Sequence, residues 1–340
     1  MDKICVVITT YNGARYIEEQ INSICNQTVK PNRIILIDDN STDNSFERCV
    51  AYLENSGIPY IAEKNEHNMG YMRAFERALS LTTAKYIAFS DQDDVWKKDK
   101  LEYLLEGMMK LEKDSTNIPL LIFSDVSVTN ERLDVIAPSF NRLQKLNMGK
   151  NIHSFPALCA QNVIPGMSMM INNKLRNLAL PFPETAIHHD WWIALIAAEK
   201  GRIRYIDLPL VLYRQHFDNT IGGNLYDDLV WFNRIRRNVL HPGKIREYWP
   251  DLKYELYENY RPNLVKHAMQ KKDLIGVIPE KRDFLMKTYS FLRQGGISSV
   301  IWLFVHGVLP PSWQRKVFFC IALLKKYSKE DLKEFCGDLD

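Results

Sequence analysis

Four short aliphatic runs, each closed by a polar cluster, constrain the fold of this chain more than any other feature. Ile4-Cys5-Val6-Val7-Ile8 leads into Thr9-Thr10-Tyr11-Asn12, and Ile34-Ile35-Leu36-Ile37 into Asp38-Asp39-Asn40-Ser41. Tyr86-Ile87-Ala88-Phe89 leads into Ser90-Asp91-Gln92-Asp93-Asp94, and the run over 120–123 into Ser124-Asp125. Continuous β-rich runs without polar alternation mark strands covered on both faces. Helical patterns separate them at 14–26, 45–54, 72–81 and 99–111, with a further short strand at Tyr60-Ile61-Ala62. Such alternation predicts an α/β fold with a doubly wound, mostly parallel sheet. Ligands of these sheets bind beyond the carboxyl ends of the strands, which is where the polar clusters fall.

The pattern weakens over 130–155, which reads as a mobile loop. Residues 164–170 read as a turn into a strand, 190–199 as a helix, and 203–206 and 211–213 as two short strands. Past about 230 the pattern is helical. The expected organisation is a domain over 1–228 followed by a helical C-terminal region over 229–340, which the length of 340 residues accommodates. Charge divides along the same line: 231–340 holds 20 Lys+Arg and 12 Asp+Glu, the first 230 residues 24 and 29. An acidic front suits a metal or cationic group, and a basic back an anionic partner.

No apolar stretch reaches the ~18 residues of a membrane span. The run over 297–309 is shorter and contains His306 and Gly307. Met1-Asp2-Lys3 leads straight into the first strand, so no signal peptide is expected. Six cysteines lie scattered without a C-x-x-C pair, which fits a reducing cytoplasm.

Three clusters carry chemistry. Asp91-x-Asp93-Asp94 crowds carboxylates at a strand end, and a divalent cation relieves their repulsion; oxygen ligands favour Mg²⁺ or Mn²⁺. The alternative is a solvated acidic turn. Asp39 can accept the imide N–H of a pyrimidine base or hydroxyls of a ribose, while Asn40 or Ser41 caps a helix. Asp190, within His188-His189-Asp190-Trp191-Trp192, opens a helix beside aromatics and suits a general base, or else only an N-cap. Adjacent histidines without a third spaced ligand make a poor zinc site. Past the last strand, His216 could complete a metal shell and Arg214 pair with a diphosphate, or both could belong to an exposed basic loop.

With these residues laid out, the chain resembles a family 2 glycosyltransferase of the GT-A fold across about 3–225. The resemblance rests on 6–12, on 23–28 with its S-x-x-x-Q-T pattern, on the D-D-x-S turn at 38–41, and on Asn68-Met69-Gly70 with Arg73-Ala74. It implies that Thr9, Tyr11, Asn12, Asp39, Asn68, Arg73 and Asp91 face the nucleotide. It implies further that Asp93, with Asp91 and His216, meets the metal, and that Asp190 is the catalytic base. Gly166 and Trp191 would lie on the acceptor side. The implied mechanism is a single displacement with inversion at the anomeric carbon. The strings over 89–96, 189–191 and 213–216 look most like bacterial rhamnosyltransferases of surface polysaccharide assembly, such as O-antigen or capsule, with dTDP-L-rhamnose as donor. A UDP-hexose transferase shares such strings, and a non-catalytic nucleotide-sugar-binding scaffold is the rival from another class. A nucleotidyltransferase is disfavoured by the single glycine in the first loop.

In the back third, basic residues interleave with aromatics such as Trp231, Phe232, Trp249, Trp302 and Trp313. This composition suits the surface of an anionic bilayer, at the inner face of the cell membrane where lipid-diphosphate-linked acceptors reside. An oligomer interface is the competing use, and no nucleic-acid-binding motif appears.

Overall fold

The computed structural model describes residues 3–115, 117–146, 148, 153–216 and 261–328, and every structural statement below concerns these. Their chain forms two compact units, Met1–Leu143 with Asn162–Arg214, and Gln144–Gln161 with Gln215–Asp340. The boundary expected at 228/229 lies outside the described residues, and the first unit ends at Arg214.

In the first unit the aliphatic runs become β1 (Ile4–Thr10), β2 (Arg33–Asp38), β4 (Tyr86–Ser90) and β6 (Leu120–Thr129), with β3 at Tyr60–Lys64. Every residue of β1, β4 and β6 is buried, as their unbroken apolar patterns require. The intervening helices are α1 (Ile17–Cys25), α2 (Ser45–Glu54), α3 (Tyr71–Ser80) and α4 (Lys100–Lys113). Each lays one apolar stripe on the sheet; α3 buries Ala74, Phe75, Ala78 and Leu79 at helical spacing. Complete burial of a side chain such as Phe75 or Phe89 stabilises the unit by about 2–3 kcal/mol.

The sheet has nine strands in the order β3-β2-β1-β4-β8-β6-β9-β5, with β7 (Val135–Ala137) paired to β6. Here β5 is Val95–Trp96, β8 Met169–Asn172 and β9 Arg202–Arg214. β1 to β4, β6 and β9 run one way and β5, β7 and β8 the other, so the sheet is mostly parallel in direction. The antiparallel β8 separates β4 from β6, which strand–helix alternation alone does not foresee. The two short strands expected at 203–206 and 211–213 are one. Asp207-Leu208-Pro209 interrupts the pattern, but pairing with β6 continues across register shifts at Asp125. The expected 130–155 loop contains β7 and α5 (Phe140–Leu143), and α6 (Phe155–Ala160) begins where it ends.

Register aligns the polar ends. Thr10 pairs with Asp38, and Ile8 with Ser90, so the loops after β1, β2 and β4 leave the sheet side by side.

The first unit also contains α7 (Asn173–Ala179) and α8 (His189–Lys200). The second unit contains α6, α9 (Arg261–Val277), α10 (Arg282–Gln294), α11 (Ile297–Val305) and α12 (Trp313–Leu324). Val265, Ala268, Leu285, Leu303 and Phe319 form its core, and the rings of Phe155 and Phe284 meet 5.9 Å apart. Among the described residues no helix is long and apolar enough to cross a membrane.

Candidate functional site

The three strand-end loops are stitched together by side chains that the sequence pattern leaves unmarked. Gln92, the central residue of Asp91-x-Asp93, accepts from the Thr10 hydroxyl and the Tyr11 amide, both at 2.8 Å. Its own amide donates to the Tyr11 carbonyl at 3.1 Å, tying the third loop to the first. A Cβ at Gly13 would lie 2.4 Å from the Gln92 oxygen, so the first loop needs glycine for this close approach. Asn12 adopts a left-handed backbone with φ 49°; its amide donates to the Ser41 hydroxyl and its side-chain oxygen accepts from the Thr42 amide. Thr9 is buried at the end of β1, and Tyr11 is exposed above it.

The two adjacent aspartates at the end of β2 do different work. Asp38 is fully buried, and one of its oxygens accepts from the Ser41 amide at 2.8 Å. Asp39 accepts from the Asn65 side chain at 2.7 Å and from the Met69 and Gly70 amides at 2.9 and 2.7 Å. It thereby holds the loop that carries Asn68. These bonds take three of the carboxylate's roughly four acceptor positions. The guanidinium of Arg73, expected to face the nucleotide, is engaged by Glu76 and the Phe182 carbonyl at 2.5 and 2.8 Å.

Within the acidic turn, Asp91 and Asp93 are half-buried while Asp94 turns inward. Asp94 accepts from the Arg214 amide at 3.1 Å. The Arg214 guanidinium is buried, donating to the Asp93 carbonyl at 2.8 Å, to the Glu131 carbonyl and to Glu19, and lying 4.7 Å from the centre of the Tyr16 ring. Arg214 is therefore a clamp on the turn. Lys100 is also fully buried, its ammonium on the Met167 carbonyl at 2.5 Å and 3.2 Å from the centre of the Trp96 ring. Burial holds the Lys100 amine well below its usual range, against the pull of Asp94 and Asp91. Desolvation first, then Asp93 and Asp190, pushes the Asp91 carboxyl up to about 7. Asp94 is raised by burial and by its two neighbours. Neither Arg214 nor Lys100 announces this role in the sequence, because a basic residue reads as surface unless its surroundings are known.

Asp190 stands in the first turn of α8, where its carboxylate accepts from the Gly166 amide at 3.0 Å. A Cβ at Gly166 would meet the His189 ring at 2.7 Å and the Asp190 Cβ at 3.5 Å, so only glycine allows this approach. The hydroxyl of Tyr71 donates to the Ile187 carbonyl at 2.9 Å and lies 2.6 Å from the His188 Nδ1. Burial, then the charges of Asp190 and Asp91, raises the Tyr71 phenol. Asp91 thus feels Asp190 from 99 positions away in the chain, and His189, next to Asp190, stacks 5.6 Å from Phe89 near the end of β4. Trp191, expected on the acceptor side, is buried in a helix that is apolar on nearly every side. His216, expected at the metal, is assigned to the second unit.

His189 packs in a triangle with the Phe75 and Phe89 rings, at 4.0 and 5.6 Å, and neither of its ring nitrogens has a hydrogen-bond partner. Burial lowers its pKa to about 4. The unfolded chain titrates near 6.5, so it binds more protons than the native state between these values. Stability is complete above about pH 6.5 and is lost as pH falls toward 4, by about 3 kcal/mol. His189→Phe is expected to flatten that portion of the profile, measured by denaturant unfolding across pH 4–7.

Among the described residues no set of three or more His, Cys, Asp or Glu side chains is arranged to hold a metal ion. The crowded carboxylates of Asp91 and Asp93 are the groups that could hold a Mg²⁺ or Mn²⁺ ion shared with substrate phosphates.

Residues 5–162 match the family described as Glycosyl transferase family 2. The chain is 28% identical over 235 residues to the dTDP-rhamnosyl transferase RfbG of Shigella flexneri, covering 64% of this chain and 74% of that one. It is 25% identical to the UDP-Glc:alpha-D-GlcNAc-diphosphoundecaprenol beta-1,3-glucosyltransferase WfaP of Escherichia coli, over 70% of this chain and 87% of that one. It is 36% identical over 110 residues to the putative teichuronic acid biosynthesis glycosyltransferase TuaG of Bacillus subtilis, a match spanning only 42% of that protein. Among solved structures, S. aureus TarS 1-349 in complex with UDP-GlcNAc aligns with a TM-score of 0.49 and 16% identity, covering 90% of this chain and 88% of that one.

Proposed function

From a chain that carries a family 2 glycosyltransferase domain over residues 5–162, we propose an inverting transfer of one sugar from a nucleotide donor to an acceptor hydroxyl. The observation that carries the reading is that α8 meets the end of β4: His189, next to Asp190, stacks 5.6 Å from Phe89, two residues before Asp91, and Asp91 feels the Asp190 charge. The loops after β1 and β2 receive the nucleoside, with Thr9, Tyr11 and Asn12 on one side and Asp39 and Asn68 on the other. Asp190, oriented by the Gly166 amide, takes the proton of the acceptor hydroxyl as that oxygen attacks the anomeric carbon from the face opposite the nucleotide. Asp91 and Asp93 would hold a Mg²⁺ or Mn²⁺ ion, which would supply positive charge against that growing on the diphosphate. Arg214 keeps that acidic turn in place through its bonds to Asp93 and Asp94, with Lys100 buried nearby on the Met167 carbonyl.

The donor we propose is dTDP-L-rhamnose, which is what the similarity to RfbG favours. The acceptor is a lipid-diphosphate-linked or free oligosaccharide of bacterial surface polysaccharide assembly, at the inner membrane face, in keeping with the similarity to WfaP. Transfer chemistry is assigned to 1–228 and the contact with the acceptor's surroundings to 229–340. A UDP-hexose donor is the second reading, since WfaP is a UDP-Glc enzyme matched over 87% of its length.

Calorimetric titration with dTDP-L-rhamnose, UDP-glucose and UDP-N-acetylglucosamine, with and without Mn²⁺, tests this. Metal-dependent preference for dTDP-L-rhamnose is the expected result. Preference for a UDP-hexose keeps the transferase and removes the rhamnose assignment. No binding of any donor in the presence of metal overturns the reading.

A further inference from the structure

We propose that the outer face of α11, with the basic residues bordering it, docks on an anionic lipid bilayer. The proposal names the surface that would serve the membrane-side acceptor, and in that use it rests on the functional reading above. α11 is Ile-Ser-Ser-Val-Ile-Trp-Leu-Phe-Val, without a charge. Ile297, Ile301, Phe304 and Val305 recur at helical spacing and are 67%, 58%, 62% and 72% exposed. The opposite side is committed: Ser299 and Leu303 are buried, and the Ser299 hydroxyl donates to the Gly295 carbonyl at 2.7 Å. Large aliphatic and aromatic side chains left this open on one stripe mark a surface that meets something apolar.

Charge says what that something is. Over 284–328 the sequence contains Lys287, Arg293, Arg315, Lys316, Lys325 and Lys326, and no Asp or Glu. The fold brings the last two to the apolar stripe. The Gly296 amide donates to the Leu323 carbonyl at 2.5 Å, and the Tyr327 amide to the Gln294 carbonyl at 3.1 Å. These bonds lay the end of α12 against the start of α11, and a Cβ at Gly296 would lie 2.6 Å from the Lys326 Cε. Leu324, 48% exposed, extends the apolar surface toward the lysines. An apolar stripe edged by one sign of charge complements a bilayer, in which acyl chains lie beneath negative headgroups. Nine residues make a helix about 13 Å long, against a hydrocarbon core of about 30 Å, so α11 lies in the interface and does not span it.

The test is flotation of the full chain with vesicles of mixed phosphatidylglycerol and phosphatidylcholine, against pure phosphatidylcholine. The chain is expected to float with the anionic vesicles at least about tenfold more strongly, and less so in high salt. Ile301→Ser with Phe304→Ser should lower that binding about tenfold or more. Lys325→Gln with Lys326→Gln should lower it about fivefold per lysine. Both pairs are exposed or half-exposed, and nucleotide binding in solution should stay within twofold, which separates loss of docking from loss of fold. Failure of the wild type to float, or flotation unchanged by either pair, overturns the proposal. So does a dimer in solution that the Ile301/Phe304 pair breaks without any flotation, which assigns the face to a second copy. A chain that floats as expected but binds no nucleotide sugar leaves the docking surface standing and removes the transferase reading instead.

Discussion

Asp190→Asn is expected to lower the transfer rate by about 10³-fold while leaving donor affinity within about twofold. The substitution keeps an oxygen that can accept from the Gly166 amide, so the turn at 166–168 and the start of α8 keep their geometry. What disappears is the ability to take a proton. A general base contributes roughly 10²- to 10⁴-fold, and a factor of 10³ corresponds to about 4 kcal/mol of transition-state stabilisation. Single-turnover release of nucleotide from donor and a soluble oligosaccharide acceptor measures this directly, and calorimetry measures the donor affinity. A variant with unimpaired turnover would remove Asp190 from the chemistry. A variant that also lost donor affinity would show that Asp190 shapes the site instead of serving as its base.

Arg214→Met should destabilise the first unit by about 3 kcal/mol and weaken donor binding by about tenfold or more. The size of the effect follows from what each partner loses. The Asp93 and Glu131 carbonyls forfeit a charged donor in a partly buried place, each costing about 1–2 kcal/mol. Glu19 is 58% exposed and is rehydrated when Arg214, itself 3% exposed, is removed, so that ion pair adds little. Glu19→Gln should accordingly cost less than about 1 kcal/mol, and this contrast separates the clamp from the salt bridge. The Arg214 amide still donates to Asp94, which keeps β9 attached while the acidic turn loosens. Hydrogen exchange across 90–96, beside thermal unfolding of both variants, reads the two effects separately. Equal destabilisation by Arg214→Met and Glu19→Gln would overturn the assignment of Arg214 as the clamp.

Much of the sheet was legible from neighbours in the chain. Five strands and the helices between them follow from runs of five or so aliphatic residues and from apolar positions three and four apart. These patterns are local, because a residue's face on a strand or helix depends only on the few residues around it. The strand-end carboxylates were legible for the same reason: an Asp that follows a buried strand emerges where a doubly wound sheet binds its ligands. The antiparallel β8 and the two-residue β5 were not, since a short strand is defined by its partner more than by its own residues. The continuous β9 was hidden by Pro209, which reads as a break until the register shift opposite Asp125 is seen.

The same division runs through the site. By itself the sequence determined which groups carry charge and which loops bear them: Asp39, Asp91, Asp93 and Asp190 at strand and helix ends. Only the tertiary structure decided their work. It turned Asp94 inward, spent three acceptor positions of Asp39 on the 65–70 loop, and engaged Arg73 with Glu76. It also buried Lys100 and Arg214 near the acidic turn, where residue type alone predicts solvent. The reason is physical: a side chain's role depends on its desolvation and on the charges around it. Those are set by residues that arrive from far along the chain, as Arg214 reaches Asp94 across 120 positions.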